Sequence, residues 1–196
     1  QAVTPTVIAG IPTHLRHWGQ GPRPVLALHC SLAHGGAWRG VAERLRGVRG
    51  TAPDLPGHGR CPEWDGQSDL HGTSTRLAIA LAETEGRPVD LLGHSFGGTV
   101  ALRLALERPE LVRSLTLIEP VLFAAARAAE AAEWPAFLAT HHVVADGTAS
   151  DAEATAAFHA VWGEGEFARL PKAQRDYMAR RIRLVRAQDT ALVEDS

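Results

Sequence analysis

The sequence predicts an α/β fold, in which a mostly parallel, doubly wound sheet is covered on both faces by helices. Short apolar runs bounded by turn residues alternate with stretches of helical spacing through the first 120 residues. Such runs are typical of strands buried on both faces, and their alternation with helices favours parallel pairing. Beyond Val121 the strand pattern stops and alanine-rich segments follow. We therefore expect a core over residues 1–120 and a helical region over residues 121–196.

Three apolar runs carry the strand prediction most clearly: Arg23–Cys30, Pro88–His94 and Ser114–Pro120. The last run is ended by its proline, which cannot donate to a ladder of backbone hydrogen bonds. Upstream, Thr13–Gly21 is compatible with an antiparallel edge strand. Arg49–Gly57 is expected to contain another short strand, followed by a loop rich in glycine and proline.

Helices are expected between these strands, because apolar residues recur there at intervals of three and four. The residues that form these faces are Trp38, Val41, Ala42 and Leu45 in the first helix, Leu77 and Leu81 in the second, and Val100, Ala101, Leu104 and Ala105 in the third. The third helix is expected to end before Pro109. The helical region is expected to contain helices over Leu122–Glu133, Ala152–Trp162 and Ala173–Val193.

The composition and charge of the sequence argue against several kinds of partner and cofactor. The 196 residues carry a formal net charge of -2, which gives no electrostatic reason to expect a nucleic acid or an anionic membrane as partner. Cys30 and Cys61 form no C-x-x-C pair, and we interpret them as reduced thiols of a cytoplasmic protein. We find no membrane-spanning run, no signal-peptide start, and no metal, nucleotide or flavin motif, so we expect no cofactor. The oligomeric state is left open.

One serine stands at the junction of a predicted strand and a predicted helix. Gly93-His94-Ser95-Phe96-Gly97 matches the pattern G-x-S-x-G of a nucleophile elbow, in the strand–turn–helix context that the motif requires. A nucleophile on such a tight turn has a strained backbone, and a Cβ two residues away on either side would collide with its neighbours. We expect Ser95 to be a catalytic nucleophile, with the Phe96 N–H as one oxyanion donor.

Two further segments resemble parts of a known family. "LHCSLAHGGAW" (Leu28–Trp38) follows a predicted strand, and "DLPGHGRC" (Asp54–Cys61) follows another. Together with the elbow and the helical region, and in this order, they resemble the α/β-hydrolase family over nearly the whole chain. The chain is most similar to the group containing small carboxylesterases, acyl hydrolases and cofactor-free haloperoxidases. This resemblance implies a sheet of the α/β-hydrolase type with a helical cap.

The resemblance also implies a second oxyanion donor. By position, the N–H of Ser31 would supply it, although Cys30 stands where the family usually has glycine. The alternative is that His34, Gly35 and Gly36 form the oxyanion hole, although these residues lie further from the end of the strand.

A serine nucleophile needs a histidine base and a carboxylate that orients it. The family order is serine, then acid, then histidine, and no histidine of this sequence fits that order. The acid is expected to be either Glu119, at the end of the strand after the elbow helix, or an aspartate beyond residue 196. If Glu119 is not the acid, its carboxylate bonds to loop backbone. We expect the base to lie beyond residue 196 and the chain to be incomplete, without the C-terminal strands of the sheet.

The sequence therefore favours a serine hydrolase that cleaves an ester, thioester or related small acyl substrate through an acyl-enzyme at Ser95. Relatives that displace halide or open epoxides use aspartate at this corner, which argues against those reactions. Two alternatives stay open: a non-catalytic protein that binds a small ligand in the same cleft, and an acyltransferase or cofactor-free perhydrolase. The cap aromatics either form its core or line an apolar pocket; they are Trp134, Phe137, Phe158, Trp162 and Phe167.

Overall fold

The structure is a computed structural model, and it describes residues 6–194 of the chain. These residues form seven strands, β1 (Thr6–Ile8), β2 (Ile11–Thr13), β3 (Leu15–Trp18), β4 (Arg23–Leu28), β5 (Val48–Pro53), β6 (Val89–His94) and β7 (Val112–Ile118). Strands β3 to β7 make one sheet in the order β3-β5-β4-β6-β7. All its neighbours pair in parallel except β3, which is antiparallel to β5. The predicted mostly parallel sheet, with an antiparallel edge strand, is confirmed.

The centre of the sheet is buried on both faces. Val25, Leu26 and Leu28 of β4 are at most 5% exposed, and Leu91 of β6 is fully buried. Each such side chain contributes about 1.5–3 kcal/mol through the apolar surface removed from water. The continuous apolar runs are therefore explained by the central position of the two strands. Strand β7 lies at the edge of this sheet, and Ile118 is 40% exposed.

Two long helices of the core fit the predicted periodicity. They are α2 (Leu70–Thr84) and α3 (Phe96–Glu107), preceded by the short helix α1 (Arg39–Ala42). Helix α2 is capped by the Asp69 side chain, which accepts the N–H of Gly72. Leu77 of α2 and Leu104 of α3 are fully buried, and the two helices pack against each other.

Two local predictions in the core need correction. The helix expected over Trp38–Leu45 is much shorter, because a 3-10 turn over Gly35–Trp38 leads into α1, which ends at Ala42. Val41 is 38% exposed, so the expected apolar face is not buried, and Gly40 weakens the helix further. The sequence analysis also missed the antiparallel pair β1–β2, which is joined by a two-residue turn.

The chain divides into two compact units, the first running through Val121 and the second beginning at Leu122. The second unit is helical, with α4 (Phe123–Ala128), α5 (Trp134–Ala145), α6 (Asp151–Trp162), α7 (Lys172–Ala179) and α8 (Ile182–Leu192). Helix α6 confirms its prediction and begins with a capping box formed by Ser150 and Glu153. Helix α5 was not predicted, and the single helix expected over Ala173–Val193 is two helices. Within residues 6–194, no helix has both the length and the apolar character needed to cross a bilayer.

Candidate active site

Ser95 lies on a strained turn between β6 and α3. Its backbone has φ 52° and ψ −118°, a conformation that residues other than glycine rarely adopt. Backbone strain of this kind costs on the order of 1–3 kcal/mol and persists only where the surroundings enforce it. Here the Ser95 N–H donates to the Ile118 carbonyl at 2.9 Å, and the Ser95 carbonyl accepts the Gly98 N–H at 2.8 Å. The serine is half-buried, and its turn is held from both sides.

The glycines two residues before and after Ser95 are required by packing. A Cβ on Gly93 would lie 2.5 Å from the Gly97 carbonyl oxygen. A Cβ on Gly97 would lie 2.4 Å from the carbonyl oxygen of Leu28 and 2.5 Å from that of His29. Real Cβ atoms essentially never come so close to backbone. The steric reason predicted for the two glycines is therefore confirmed.

The Phe96 N–H is the first amide of α3, and it meets no hydrogen-bond acceptor among residues 6–194. The Phe96 side chain is fully buried, with its ring centroid 5.6 Å from that of His71 and 6.5 Å from that of His58. This packing fixes the backbone at the start of α3. The amide thus combines a fixed position with the partial positive charge of a helix N-terminus.

The turn after β4 carries Ser31, and a buried histidine anchors it. His29 Nε2 accepts the N–H of Leu55 at 2.9 Å, so Nδ1 carries the proton and donates to the Cys30 carbonyl at 2.8 Å. Burial and the neighbouring His58 lower the pKa of His29 to about 3. The imidazole is therefore neutral near pH 7, and both its nitrogens hold the turn in place.

In the alternative oxyanion segment, His34 to Gly36, two backbone amides already donate hydrogen bonds to other groups of the protein. The Gly35 N–H donates to Asp54 Oδ1 at 2.8 Å, and the Gly36 N–H donates to His34 Nδ1 at 3.0 Å. In this arrangement neither N–H is free to donate to the oxyanion of a bound substrate. This observation disfavours the segment from His34 to Gly36, and the role of the Ser31 N–H as second donor stays a prediction.

Asp54 connects three segments around the turn, a role that the sequence analysis did not assign to it. Its fully buried carboxylate accepts the N–H of Gly35, the N–H of Arg60 at 3.0 Å and the guanidinium of Arg16 at 2.6 Å. Burial acts against the charged form, but the two amides and Arg16 together hold the pKa of Asp54 below its usual range. The available signal was an aspartate closing a buried strand and opening the run Asp-Leu-Pro-Gly-His-Gly.

Glu119 comes to the same sheet edge as Ser95. In the parallel pair β6–β7, His94 lies opposite Ile118, so the residues that follow each strand are neighbours. Glu119 Oε2 lies 3.8 Å from His94 Nε2, and the Glu119 side chain is 85% exposed. Its backbone φ of 46° is strained like that of Ser95. The two predicted residues are thus brought together, while the role of Glu119 as the acid stays a prediction.

No histidine nitrogen of the described residues lies within hydrogen-bond distance of the Ser95 hydroxyl. His58 Nδ1 donates to the Pro56 carbonyl, and His71 Nε2 lies 3.2 Å from the Thr99 hydroxyl. Burial and then Arg103 lower the pKa of His71 to about 4. The base required by a serine nucleophile is therefore not located by these contacts. Residues 6–194 also hold no group of three or more His, Cys, Asp or Glu side chains that could bind a metal ion.

Comparison with known proteins gives the family context. A family model described as alpha/beta hydrolase fold matches residues 23–188. The chain is 39% identical over 113 residues to Lipase LipV of Mycobacterium tuberculosis, covering 57% of this chain and 43% of that protein. It is 37% identical over 106 residues to the pimeloyl-[acyl-carrier protein] methyl ester esterase of Nitrosomonas europaea, covering 54% of this chain and 40% of that protein. The chain thus spans less than half the length of these curated relatives.

A solved structure supports the same fold over more of the chain. The structure of the N-acyl homoserine lactonase AidH with N-butanoyl homoserine aligns with a TM-score of 0.70 at 18% identity. The alignment covers 94% of this chain and 67% of that one. At this level of identity, the likeness shows a shared fold.

Proposed function

The chain belongs to the α/β-hydrolase fold family, and from this premise we propose that the protein hydrolyses an ester, thioester or related small acyl substrate through an acyl-enzyme at Ser95. The observation that carries the proposal is the strained turn of Ser95 between two glycines that tolerate no Cβ. Backbone strain of this kind clusters at active sites. Relatives named as a lipase and as a methyl ester esterase support ester chemistry.

The first chemical step follows from the position of the hydroxyl. Ser95 Oγ attacks the substrate carbonyl carbon while its proton passes to a histidine base, and the carbonyl oxygen becomes an oxyanion. The oxyanion takes a hydrogen bond from the Phe96 N–H and, in our proposal, a second from the Ser31 N–H. Removing one such donor typically costs about 10²–10³ in kcat. The partial positive charge at the start of α3 favours the same negative charge.

The second half of the reaction regenerates the serine. The protonated base gives its proton to the departing alcohol or thiol, which leaves an ester between the acyl group and Ser95 Oγ. Water, deprotonated by the same base, attacks the carbonyl carbon of this ester. The bond to Ser95 Oγ then breaks, the base returns its proton to Oγ, and the carboxylic acid leaves with the oxygen of water. We assign no histidine of the described residues as the base, and we assign Glu119 as a candidate carboxylate to orient a histidine base. This assignment is supported by its position beside the elbow.

His29 and Asp54 act as positioning residues in this proposal. Neither would touch the reacting atoms, but each fixes a segment of the turn that presents Ser31. His29 joins this turn to Leu55, and Asp54 joins Gly35 to Arg60. A preorganised donor needs such support, since stabilisation of the oxyanion falls when its amide must first be ordered.

Labelling with a fluorophosphonate tests the proposal. Full-length protein should react at Ser95, identified by peptide mapping, and should hydrolyse p-nitrophenyl esters of short and medium acyl chains. Ser95→Ala should abolish labelling and should lower the activity at least about 10³-fold. Ser68→Ala, in an exposed loop, is the matched control and should change neither. Absence of label on Ser95 in folded full-length protein would reject the proposal in favour of a non-catalytic binding protein.

Acceptor competition separates hydrolysis from acyl transfer. If water is the acceptor, adding an alcohol or hydrogen peroxide should leave the carboxylic acid as the main product. An acyltransferase or perhydrolase would instead form the new ester or the peracid in proportion to the added acceptor.

A further inference from the structure

A cavity of about 290 Å³ lies between α5 and α6 of the helical unit. Most of its lining is apolar and aromatic, including Phe137 and Val144 from α5 and Phe158 and Trp162 from α6. An apolar cavity of about 150 Å³ holds a benzene molecule, so this one fits a group about twice as large. The aromatic residues Phe137, Phe158 and Trp162 thus line a pocket and do not merely fill a core.

The aromatic wall is held in a fixed arrangement by ring stacking. The Phe137 ring stacks on Phe123 with centroids 4.3 Å apart, on Trp134 at 5.4 Å and on His141 at 5.0 Å. The other wall is more open, since Trp162 is 52% exposed. A stacked aromatic wall beside an exposed tryptophan is suited to an apolar ligand that enters from solvent.

One histidine gives the cavity a hydrogen-bonding group. His141 lines the cavity, and its Nε2 lies 3.0 Å from both carboxylate oxygens of Asp189. Because the carboxylate can only accept, Nε2 carries the proton that it donates to Asp189. In the neutral form of the imidazole, Nδ1 is then an acceptor. Nδ1 has no hydrogen-bond partner among residues 6–194. It is therefore available to a ligand that donates a hydrogen bond.

The charges around the cavity disfavour an anionic ligand. Glu133 is an exposed residue that lines the cavity, and the carboxylate of Asp189 lies 3.0 Å from His141 Nε2. Both would repel a fatty acid anion, and neither would oppose a neutral hydroxyl group. A hydroxyl can donate to an acceptor, which the lone pair of His141 Nδ1 provides.

We propose that the α5–α6 cavity binds an uncharged apolar molecule carrying one hydroxyl group, such as a medium-chain alcohol. The chain packs against Phe137, Phe158 and Trp162, and the hydroxyl donates to Nδ1 of His141. Binding at this site does not require the chemistry at Ser95. Its ligand has two possible sources: the free alcohol that ester hydrolysis releases, or a separate small molecule.

Titration calorimetry of full-length protein with 1-octanol tests the site. Binding should be saturable in the natural protein and in Ser95→Ala, so the result does not depend on catalysis. Ala157→Phe places a ring in the cavity and should weaken binding at least about tenfold. Ala160→Phe, on an exposed position of the same helix, should change it less than about twofold. Absence of saturable binding, or equal binding in folded Ala157→Phe, would overturn the proposal.

A matched ligand pair tests the hydrogen bond without a bulky variant. 1-Methoxyheptane has the same number of heavy atoms as 1-octanol but no donor, so it should bind about three- to tenfold more weakly. His141→Phe keeps a ring against Phe137 but removes Nδ1, and it should abolish the difference between the two ligands. Octanoate should bind more weakly than 1-octanol. A preference for octanoate, or an unchanged difference in His141→Phe, would contradict the assigned role of His141.

Kinetic competition distinguishes the two sources once binding is established. If the ligand is the alcohol that ester hydrolysis releases, 1-octanol should act as a product inhibitor that raises KM for an octyl ester and leaves kcat unchanged. If the ligand is a separate molecule, 1-octanol should bind with the same affinity while KM stays constant. Either result keeps the site, and failure of ester hydrolysis would leave the calorimetric test intact.

Discussion

The Leu55 N–H donates to Nε2 of His29 at 2.9 Å, joining the segments that follow two neighbouring strands, β4 and β5. This bond needs an unprotonated Nε2, and burial already lowers the pKa of the imidazole to about 3. A second buried histidine, His71, has its pKa lowered to about 4, first by burial and then by Arg103. The folded core therefore keeps two imidazoles neutral over a pH range in which the unfolded chain binds protons.

The free energy of unfolding should fall as pH falls from about 6.5 to about 4. Both folded pKa values lie below the unfolded value of about 6.5, so in this window the unfolded state gains protons that the folded state does not. Each of the two histidines contributes up to about 1.4 kcal/mol per pH unit. Urea unfolding at a series of pH values measures the slope. His71→Gln should reduce it, and a slope that is unchanged in this variant would exclude His71 as a cause.

Ser95→Gly should stabilise the protein while abolishing its activity. Glycine adopts a φ of 52° without the steric cost that a Cβ carries, and it removes the proposed nucleophile. We expect the free energy of unfolding to rise by about 1 kcal/mol, measured by denaturant titration. Ser95→Ala, which keeps the Cβ, should lose activity without this gain. Equal stability of the two variants would show that the turn is not strained.

Gly97→Ala should be strongly destabilising. Its Cβ would lie 2.4 Å from the Leu28 carbonyl oxygen, so α3 would have to move away from β4. Thermal unfolding should show a loss of about 2–4 kcal/mol, as expected for overpacking against backbone. Gly40→Ala is the control, because its Cβ would have only Arg44 Nη1 nearby, at 3.8 Å, and alanine favours a helix. A small effect of Gly97→Ala would contradict the close approach of the two segments.

Asp54→Asn should destabilise the core by about 3 kcal/mol, because the Arg16 guanidinium loses its buried partner. The amide also offers only one acceptor atom where the carboxylate offers two to the amides of Gly35 and Arg60. If the proposed function holds, kcat should fall together with stability. Glu43→Gln, which breaks an exposed ion pair with Arg39, should leave both unchanged. Chemical denaturation and ester hydrolysis measure the two effects.

The strands of the sheet could be predicted where burial on both faces alone explains the sequence pattern. Strands β4 and β6 are buried on both faces, and their apolar runs follow directly from that. The β1–β2 hairpin was missed because its turn uses Ala9 with φ 50° before Gly10 with φ 77°. Such turns are usually signalled by asparagine or aspartate, and alanine gives no such signal. Helix α5 was missed because its apolar residues do not keep to one face.

In the candidate site, the local features were predictable and the long-range ones were not. The elbow at Ser95 is contained in five consecutive residues, and its strand–turn–helix context is visible on both sides. The contacts of His29 with Leu55 and of Gly35 with Asp54 join distant parts of the sequence. Their partners are set by the order of strands in the sheet, which a single sequence does not encode in any local pattern.

The shared carboxylate of Asp54 also bears on how this part of the protein moves. Because the amide protons of Gly35 and Arg60 are both held by that one group, neither segment can swing outward without loosening the other. Their exchange with deuterium should therefore proceed through one cooperative opening, at matched protection. Opening of these two segments to solvent would then be a single cooperative event.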